Sequence, residues 1–567
     1  MPTRHFGFRL LVLGLLAMLA MLAMSACNVP GRALRGYAAA EADGLESLEE
    51  GGAFAHAPRR LHGQVRFLFD DFGSLNTDEL DSYAIPWKLT AAALVRARHE
   101  RLGEPVSVET LRAAMAECGF VSPRRIANWE GPQPRLDRPM GIVSGRARRG
   151  LPAVEIEIAN VGCATCHAGP LYGADGLPTG DAWLGLPNTS FDLSAYVDGV
   201  FEALTKELER PDTLLSTIAT LYPHVSDREL STLRKHVIPQ AREELAARAE
   251  RYGGLLPFEN GGPGLLNGVG SLRFLVGALH GDARPTELAW TSPPELSGST
   301  LRRSLLIDGI YAPPGAARFG PLAASEVTSE HLDDLAGIVS LFVASTQGIS
   351  PAAARRAIPR VRDVVEFVHT LEPPRFPGPI DARLAERGRV VYAEACASCH
   401  GTYGDDAVAP RLLSHPNRLV AQDRMLTDTV RWGTVDSTSL RLMRQIGYDE
   451  LIEAAASSGY VAPDLGGIWA TAPYLHNGSV PTLWHLLYAE DRPERFWVGG
   501  HALDYERVGI AGEIDEAGTY AYPEGYEPWA RPFLYDTREP GRSNQGHEFR
   551  TSSEADKRAL LEYMKGL

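Results

Sequence analysis

Cys163-Ala-Thr-Cys166-His167 and Cys396-Ala-Ser-Cys399-His400 are two copies of one pattern, Cys-x-x-Cys-His. This spacing suits the attachment of a c-type haem, in which two thiols bond the vinyl groups and the histidine becomes the proximal iron ligand. A four-cysteine zinc site or two redox disulfides are the alternatives, but zinc needs no histidine in both copies and no βαβ pattern surrounds either pair. The sequence therefore predicts two covalently bound haem c groups. The attachment residues would be Cys163, Cys166, Cys396 and Cys399, and the proximal ligands His167 and His400.

The two motifs are 233 residues apart, which is too far for tandem small cytochrome modules. We therefore expect an N-terminal haem domain over residues 63–375 and a C-terminal cytochrome c domain over residues 376–567. The proline-rich segment 373–379 is the expected hinge between them. The predicted fold class is mainly α, with two cytochrome c-type haem domains, long loops and a C-terminal domain resembling class I cytochrome c.

Local patterns predict several helices. The segment 381–395 should be a helix that leads directly into Cys396, and Ser553 should cap a last helix that packs across it. In the first region, Ser226 begins a capping box, and Pro239 should kink or split the helical pattern that follows. A further helix is expected over 331–346.

The N-terminus has the pattern of an export signal. Residues 1–26 combine two arginines with a 15-residue apolar run that is short for a bilayer span, which predicts a signal peptide of the lipoprotein type with Cys27 as the lipidated residue. The alternative is ordinary cleavage with a free or buried Cys27. Residues 27–62 are expected to form a flexible tether. The expected location is the periplasmic or extracellular side, with a lipid anchor in the bacterial outer membrane.

Composition excludes some functions. The chain has 567 residues, 56 Lys and Arg against 71 Asp and Glu, and a net charge of −15. This acidic balance argues against nucleic-acid binding, which needs cations to neutralise phosphates. Six cysteines are too few for a disulfide scaffold, and Cys118, outside both motifs, is expected to be a buried free thiol.

Three segments resemble the dihaem cytochrome c peroxidase superfamily, most closely its dihaem rubber-oxygenase-like branch and more distantly the methylamine-utilisation dihaem enzymes. The segments are residues 472–483, Arg492-Pro-Glu-Arg-Phe496 and 540–548, and the resemblance is strongest over 380–567. It implies two haem domains that face each other. One haem would have an open or exchangeable distal site, and the other would be six-coordinate and pass electrons.

The sixth ligand of the second haem has three candidates. The resemblance implies His547, in a Gly-His-Glu segment close to the last helix. Met443 is the rival, because it follows His400 by 43 residues, as in small cytochromes. His476 is interpreted as a residue that hydrogen-bonds a haem propionate or orders its loop. The chain departs from the usual peroxidases, which place a methionine soon after the His476-like segment, since it has no methionine between 444 and 563.

The first haem is the predicted reactive centre, with His167 as its proximal ligand and no distal catalytic residue identified. His280 and the glycine-rich segment 260–270 are candidates for its distal side, and Trp183, Trp290 and Trp469 for electron relays.

We expect an exported dihaem c-type cytochrome oxidoreductase. One haem would react with peroxide or dioxygen, and the other would exchange electrons with a redox partner protein or a small donor or acceptor. The alternative is a dihaem electron-transfer cytochrome without a catalytic site. The large first region favours an enzyme, because a carrier needs little more than a haem wrapper.

Overall fold

The computed structural model describes residues 57–73, 85–149, 154–252, 258–279, 288–433, 444, 446–549 and 553–567. The predicted signal peptide, Cys27, residues 27–56 of the tether, His280 and Met443 lie outside the described residues. Within the described ranges, no helix is both long and apolar enough to cross a membrane.

The α-helices are named here in chain order. They are α1 Arg59–Phe69, α2 Trp87–Leu102, α3 Val108–Glu117, α4 Cys163–Cys166, α5 Leu193–Glu207, α6 Pro211–Leu221, α7 Asp227–Thr232, α8 Ile238–Tyr252, α9 Gly268–Leu279, α10 Ser329–Gln347, α11 Pro351–Arg356, α12 Ile358–His369, α13 Ala382–Ala395, α14 Ala397–His400, α15 Gln422–Met425, α16 Val430–Gly433, α17 Leu483–Leu487 and α18 Glu554–Met564. Short 3₁₀ turns occur at Ser299–Leu301, Ala324–Glu326, Ile468–Ala470 and Ala489–Asp491.

The strands are short, and most are paired in small sheets. They are β1 Ile85–Pro86, β2 Arg125–Ile126, β3 Ile142–Arg149, β4 Val154–Val161, β5 Ala168–Tyr172, β6 Pro178–Leu184, β7 Tyr311–Ala312, β8 Leu322–Ala323, β9 Thr402–Tyr403, β10 Leu412–His415, β11 Leu419–Ala421, β12 Glu453–Ala454, β13 Gly459–Val461, β14 Arg495–Val498, β15 Leu503–Asp504, β16 Gly509–Ile510, β17 Glu513–Ile514, β18 Thr519–Ala521 and β19 Phe533–Asp536.

The prediction of a mainly α fold is wrong. The structure is 41% helix and 15% strand, with many small sheets, and is therefore mixed α/β. The largest part that sequence reasoning missed is the antiparallel pair β3–β4, which leads into the first haem motif. Its signal is present, because residues 154–158 alternate Val-Glu-Ile-Glu-Ile in the two-residue period of a strand. The strands of two to four residues carry no such local signal and form only where distant segments meet.

The C-terminal region contains the predicted crossing of its first and last helices. Asp381 caps α13 by accepting hydrogen bonds from the main-chain N–H groups of Arg383 and Leu384. A Cβ on Gly388 of α13 would lie only 1.9 Å from the carbonyl oxygen of Ala559 in α18, so the two helices approach backbone to backbone. This confirms the predicted packing and places the end of α13 directly before Cys396.

The first region repeats this crossing. A Cβ on Gly63 of α1 would lie 1.9 Å from the carbonyl oxygen of Asp363 in α12. Phe67 and Phe367 then meet at 5.6 Å between ring centroids. Arg59 already belongs to α1, so the last four residues of the predicted tether are helical. The sequence signal is a Gly-x-Val-x-aromatic pattern that recurs at Gly63 and Gly388.

Pro239 affects its helix as expected. Ser226 caps α7 by accepting a hydrogen bond from the N–H of Glu229, and a π turn at Leu233–Val237 precedes α8. Because Pro239 has no N–H to donate to the residue four positions earlier, the helix widens locally instead of continuing its regular ladder.

The hydrophobic cores extend across the predicted boundary at residue 376. One core joins helices α1, α10 and α12 to Ile446, Tyr448 and Ile452 of the second region. Another joins Tyr172 and Trp290 to the residues around α13 and α18. Two sheets also cross the boundary, since β7 pairs with β12 and β8 with β10.

Candidate haem sites

The first motif lies on the short helix α4, directly after β4. Thr165 donates a hydrogen bond to the carbonyl of Gly141 at 2.8 Å, and the N–H of His167 bonds the carbonyl of Cys163 at 3.1 Å. Gly141 has φ +87°, and a Cβ on it would lie 2.2 Å from the nitrogen of Thr165. The turn that presents the two thiols is therefore closely packed against the main chain.

His167 is oriented by a proline carbonyl. Its Nδ1 lies 3.2 Å from the carbonyl oxygen of Pro294. Because a carbonyl only accepts, Nδ1 carries the proton and Nε2 keeps its lone pair for a metal. Burial lowers the pKa of His167 to about 4, so the ring is neutral near pH 7.

His400 has the same support in the second motif. Its Nδ1 lies 2.7 Å from the carbonyl oxygen of Pro463. Burial and the proximity of His547 lower the pKa of His400 to about 4. Two tyrosines hold the surrounding loops, because Tyr392 donates to the carbonyl of Gly401 and Tyr403 accepts from the N–H of Leu465.

Pro294 and Pro463 begin two copies of one loop, Pro-Glu-Leu-Ser-Gly and Pro-Asp-Leu-Gly-Gly, 169 residues apart. Each copy continues into a 3₁₀ turn and then a hairpin-like turn, closed by the bridges Leu305–Tyr311 and Tyr474–Val480. Leu306 and Leu475 share φ +65°. Sequence reasoning missed this repeat, although the two five-residue patterns would have revealed it.

The acidic residues of these two loops converge. From the position that a Cβ on Gly466 would take, Asp464 Oδ1 lies 3.3 Å away and Glu295 Oε2 3.5 Å away. Ser297 donates its hydroxyl and its N–H to Glu295 Oε2 at 2.6 and 2.8 Å. Burial and the charge of Asp464 raise the pKa of Glu295 to about 8, and burial raises the pKa of Asp464. A buried pair of carboxyl groups therefore lies between the loops that hold the two proximal histidines.

The structure places His547 opposite His400. The ring centroids are 5.9 Å apart, with 65° between the ring planes. Two imidazoles that bind one metal ion from opposite sides would be separated by roughly 6 Å. Burial lowers the pKa of His547, so this ring too is neutral.

The other candidate ligands have different surroundings. His476 packs on Tyr460 with 4.6 Å between ring centroids, and its Nε2 lies 3.3 Å from the Tyr460 hydroxyl. The carbonyl of His476 accepts the N–H of Ser292, which links the two repeated loops. For the first motif, the described residues include no second histidine ring packed against His167 as His547 is against His400.

The tryptophans proposed as relays are structural partners of the hinge and its surroundings. Trp183 donates its indole N–H to the carbonyl of Glu372, and Trp469 donates to that of Pro374, at 3.1 and 3.0 Å. Trp290 lies 5.2 Å from the guanidinium of Arg542. The first two therefore anchor the segment that joins the two regions.

The residues present fit covalently held haem. All four motif cysteines are free thiols, as is the buried Cys118 that was predicted to be one. Cys163, Cys166 and His167 would hold one group, and Cys396, Cys399 and His400 the other. In each motif the histidine keeps an uncommitted Nε2, and the space between His400 and His547 matches a ligated metal.

Comparison with known proteins agrees with this chemistry over part of the chain. Residues 459–498 match the family model described as RoxA-like, cytochrome c-like. Two uncharacterized proteins of Sinorhizobium fredii are similar: y4iJ is 28% identical over 263 residues, covering 35% of this chain and 41% of y4iJ, and y4iM is 32% identical over 203 residues, covering 33% and 45%. The chain thus spans less than half the length of these relatives. The family match supports a c-type cytochrome of the rubber-oxygenase type, which implies covalently bound haem c.

Proposed function

We propose that this chain is an exported dihaem c-type cytochrome oxidoreductase. The site of His167 would carry out a peroxide- or dioxygen-dependent reaction, and the site of His400 would transfer electrons, with His547 as its second axial ligand. The observation that carries the proposal is the pair of facing rings, His400 and His547, 5.9 Å apart. When bound, haem supplies iron that cycles between oxidation states and, with a free axial position, takes up small oxygen species.

The difference between the two sites supports a division of labour. His547 faces His400 from a buried loop, whereas among the described residues no histidine ring faces His167. A site with one strong axial ligand leaves a position for an exogenous molecule, and a site with two favours electron exchange without ligand binding. The two proximal histidines share the same proline-carbonyl support, which favours a haem at both motifs.

Export and location are part of the proposal and rest on the sequence alone. The apolar run before Cys27 supports cleavage by a lipoprotein pathway and a lipid anchor at the periplasmic or extracellular side of the outer membrane. Covalent attachment suits this location, because an exported protein cannot rebind lost haem from the cytosol. The expected partner is a redox protein or a small electron donor or acceptor.

Carbon monoxide counts the accessible irons and tests the proposal. We expect the fully reduced protein to bind one CO per two haems, and His547→Ala to bind two, with the second haem changing from low to high spin. Met443→Ala and His476→Ala are the matched controls and should still bind one. Turnover with peroxide and dioxygen would then identify the oxidant.

Other outcomes would contradict the proposal. If the reduced protein binds no CO, both irons hold strong sixth ligands and the electron-transfer cytochrome becomes the better description. If Met443→Ala rather than His547→Ala opens the second site, the ligand assignment is wrong.

A further inference from the structure

The segment that carries His547 has no regular secondary structure of its own. Residues 542–549 run without helix or strand to a point shortly before α18. Gly546 has φ +80°, and His547 has φ +49°, a left-handed conformation that costs energy for a residue with a side chain. Such a loop can present a ligand at a defined distance only if tertiary contacts hold it.

Arg492 makes the closest of these contacts. Its Nη1 donates to the carbonyl oxygens of Asn544 and Gly546, the second at 2.8 Å. Its Nε donates to the carbonyl of His485 at 3.0 Å, and its Nη2 to that of Leu486 at 3.1 Å. One planar guanidinium therefore ties the residue before His547 to helix α17.

The remaining anchors hold the same loop from other sides. Asn477 donates to the carbonyls of Gly541 and Ser543, and the N–H of His547 bonds the carbonyl of Met425 at 2.9 Å. A Cβ on Gly546 would lie 2.3 Å from that Met425 oxygen, so the loop is pressed against residues 425–427. Arg492 is the side chain that fixes the opposite edge of the Asn544–Gly546 turn.

We infer that Arg492 is a positioning residue for His547, which acts by holding the Asn544–Gly546 turn so that the imidazole stays opposite His400. This inference rests on the proposed function of His547 as the second axial ligand. The role requires a rigid fork of donors and not only a positive charge. Lysine keeps the charge but offers a single flexible ammonium that cannot span two carbonyls on the loop and two on α17.

The test compares Arg492→Lys and Arg492→Gln with the unchanged protein and with His547→Ala. In both Arg492 variants we expect part of the second haem to become high-spin by absorbance and electron paramagnetic resonance. The apparent CO affinity of the second site should rise about tenfold. Added imidazole should restore the low-spin spectrum, because the pocket itself remains. Arg495→Lys is the matched control: Arg495 lies three residues away, bonds the carbonyl of Ala517 at 2.9 Å and should leave the spectrum unchanged.

The outcomes separate this inference from the proposed function. If His547→Ala becomes high-spin while Arg492→Lys stays low-spin, Arg492 does not position the ligand and the proposed function stands. If His547→Ala itself stays low-spin, both the ligation and the role of Arg492 are wrong. If Arg492→Gln fails to fold, Arg492→Lys decides the matter. A high-spin spectrum that imidazole does not reverse would show a collapsed pocket and would also overturn the inference.

Discussion

His167 and His400 depend on single carbonyl oxygens, those of Pro294 and Pro463. Each proline is followed by an acidic residue, and the two acids, Glu295 and Asp464, approach each other in the interior. Burial of an isolated carboxylate is unfavourable, so the pair keeps at least one proton near pH 7. The orientation of both histidines is therefore coupled to a pair of groups that responds to pH.

Substituting Glu295 should change how stability depends on pH. The pKa of Glu295 is raised from its ordinary 4.5 to about 8, so the folded chain holds this proton more tightly than the unfolded chain. The resulting stabilisation is complete below about pH 4.5 and is lost as the pH rises through about 8. We expect the melting temperature of the unchanged protein to fall, relative to Glu295→Gln, by a few degrees between about pH 5 and 9.

Thermal unfolding of both proteins across this range measures the effect. Glu372→Gln is the control, because the Glu372 carboxylate is exposed and paired with Arg411. A difference between Glu295→Gln and the unchanged protein that does not vary with pH would show that Glu295 holds no additional proton in the folded state.

The two helix crossings, α1 with α12 and α13 with α18, dominate at the scale of elements. Each crossing depends on one glycine, Gly63 or Gly388, at which the backbone of the partner helix occupies the position of a side chain. The same device appears in both haem regions, although the chain between helix and motif differs. In the second region α13 ends directly at Cys396, whereas β1 to β4 and helices α2 and α3 separate α1 from Cys163.

Alanine at either glycine should separate the crossed helices. In Gly63→Ala and Gly388→Ala the new methyl group would lie 1.9 Å from a main-chain oxygen, and we expect a loss of about 3 kcal/mol in the free energy of unfolding. Gly199→Ala is the matched control, because Gly199 lies inside α5 with no atom within 4 Å of its Cβ position. This control should gain about 0.5–1 kcal/mol from helix propensity. Denaturant unfolding measures all three, and equal effects would contradict the close approach.

The whole molecule is joined across the predicted boundary. Buried Asn417 of the second region donates to the carbonyl of Leu301 at 2.8 Å and accepts the N–H of Arg303 at 3.0 Å. Tyr505 donates to the carbonyl of Gly173, and the N–H of Gly500 bonds the hydroxyl of Ser190. Together with the shared cores and sheets, these contacts imply that the two regions unfold as one.

We expect calorimetry to show one cooperative transition for the intact chain. Asn417→Ala should lower its midpoint, because it leaves a buried carbonyl and a buried N–H without partners, at a cost of about 3 kcal/mol in total. Asp405→Ala is the control, since its side chain is fully exposed. Two well-separated transitions in the unchanged protein would show that the shared cores do not couple the regions.

Features encoded within a few residues could be predicted from the sequence. The Cys-x-x-Cys-His spacing defines haem attachment because both thiols and the histidine must lie within one helical turn. Asp381, Ser226 and Ser553 were predicted as helix starts for the same reason, since a cap needs only the next three residues. The alternation before Val161 was equally local, and the prediction of a mainly α fold failed because that signal was overlooked.

The tertiary structure alone decided what lies opposite each motif. His547 follows His400 by 147 residues, and its position depends on contacts with Met425, Asn477 and Arg492 that come from three different segments. The convergence of Glu295 and Asp464 depends likewise on the packing of two loops 169 residues apart. Local spacing cannot encode such distances, because they are set by burial and by hydrogen bonds between segments that meet only in the folded chain.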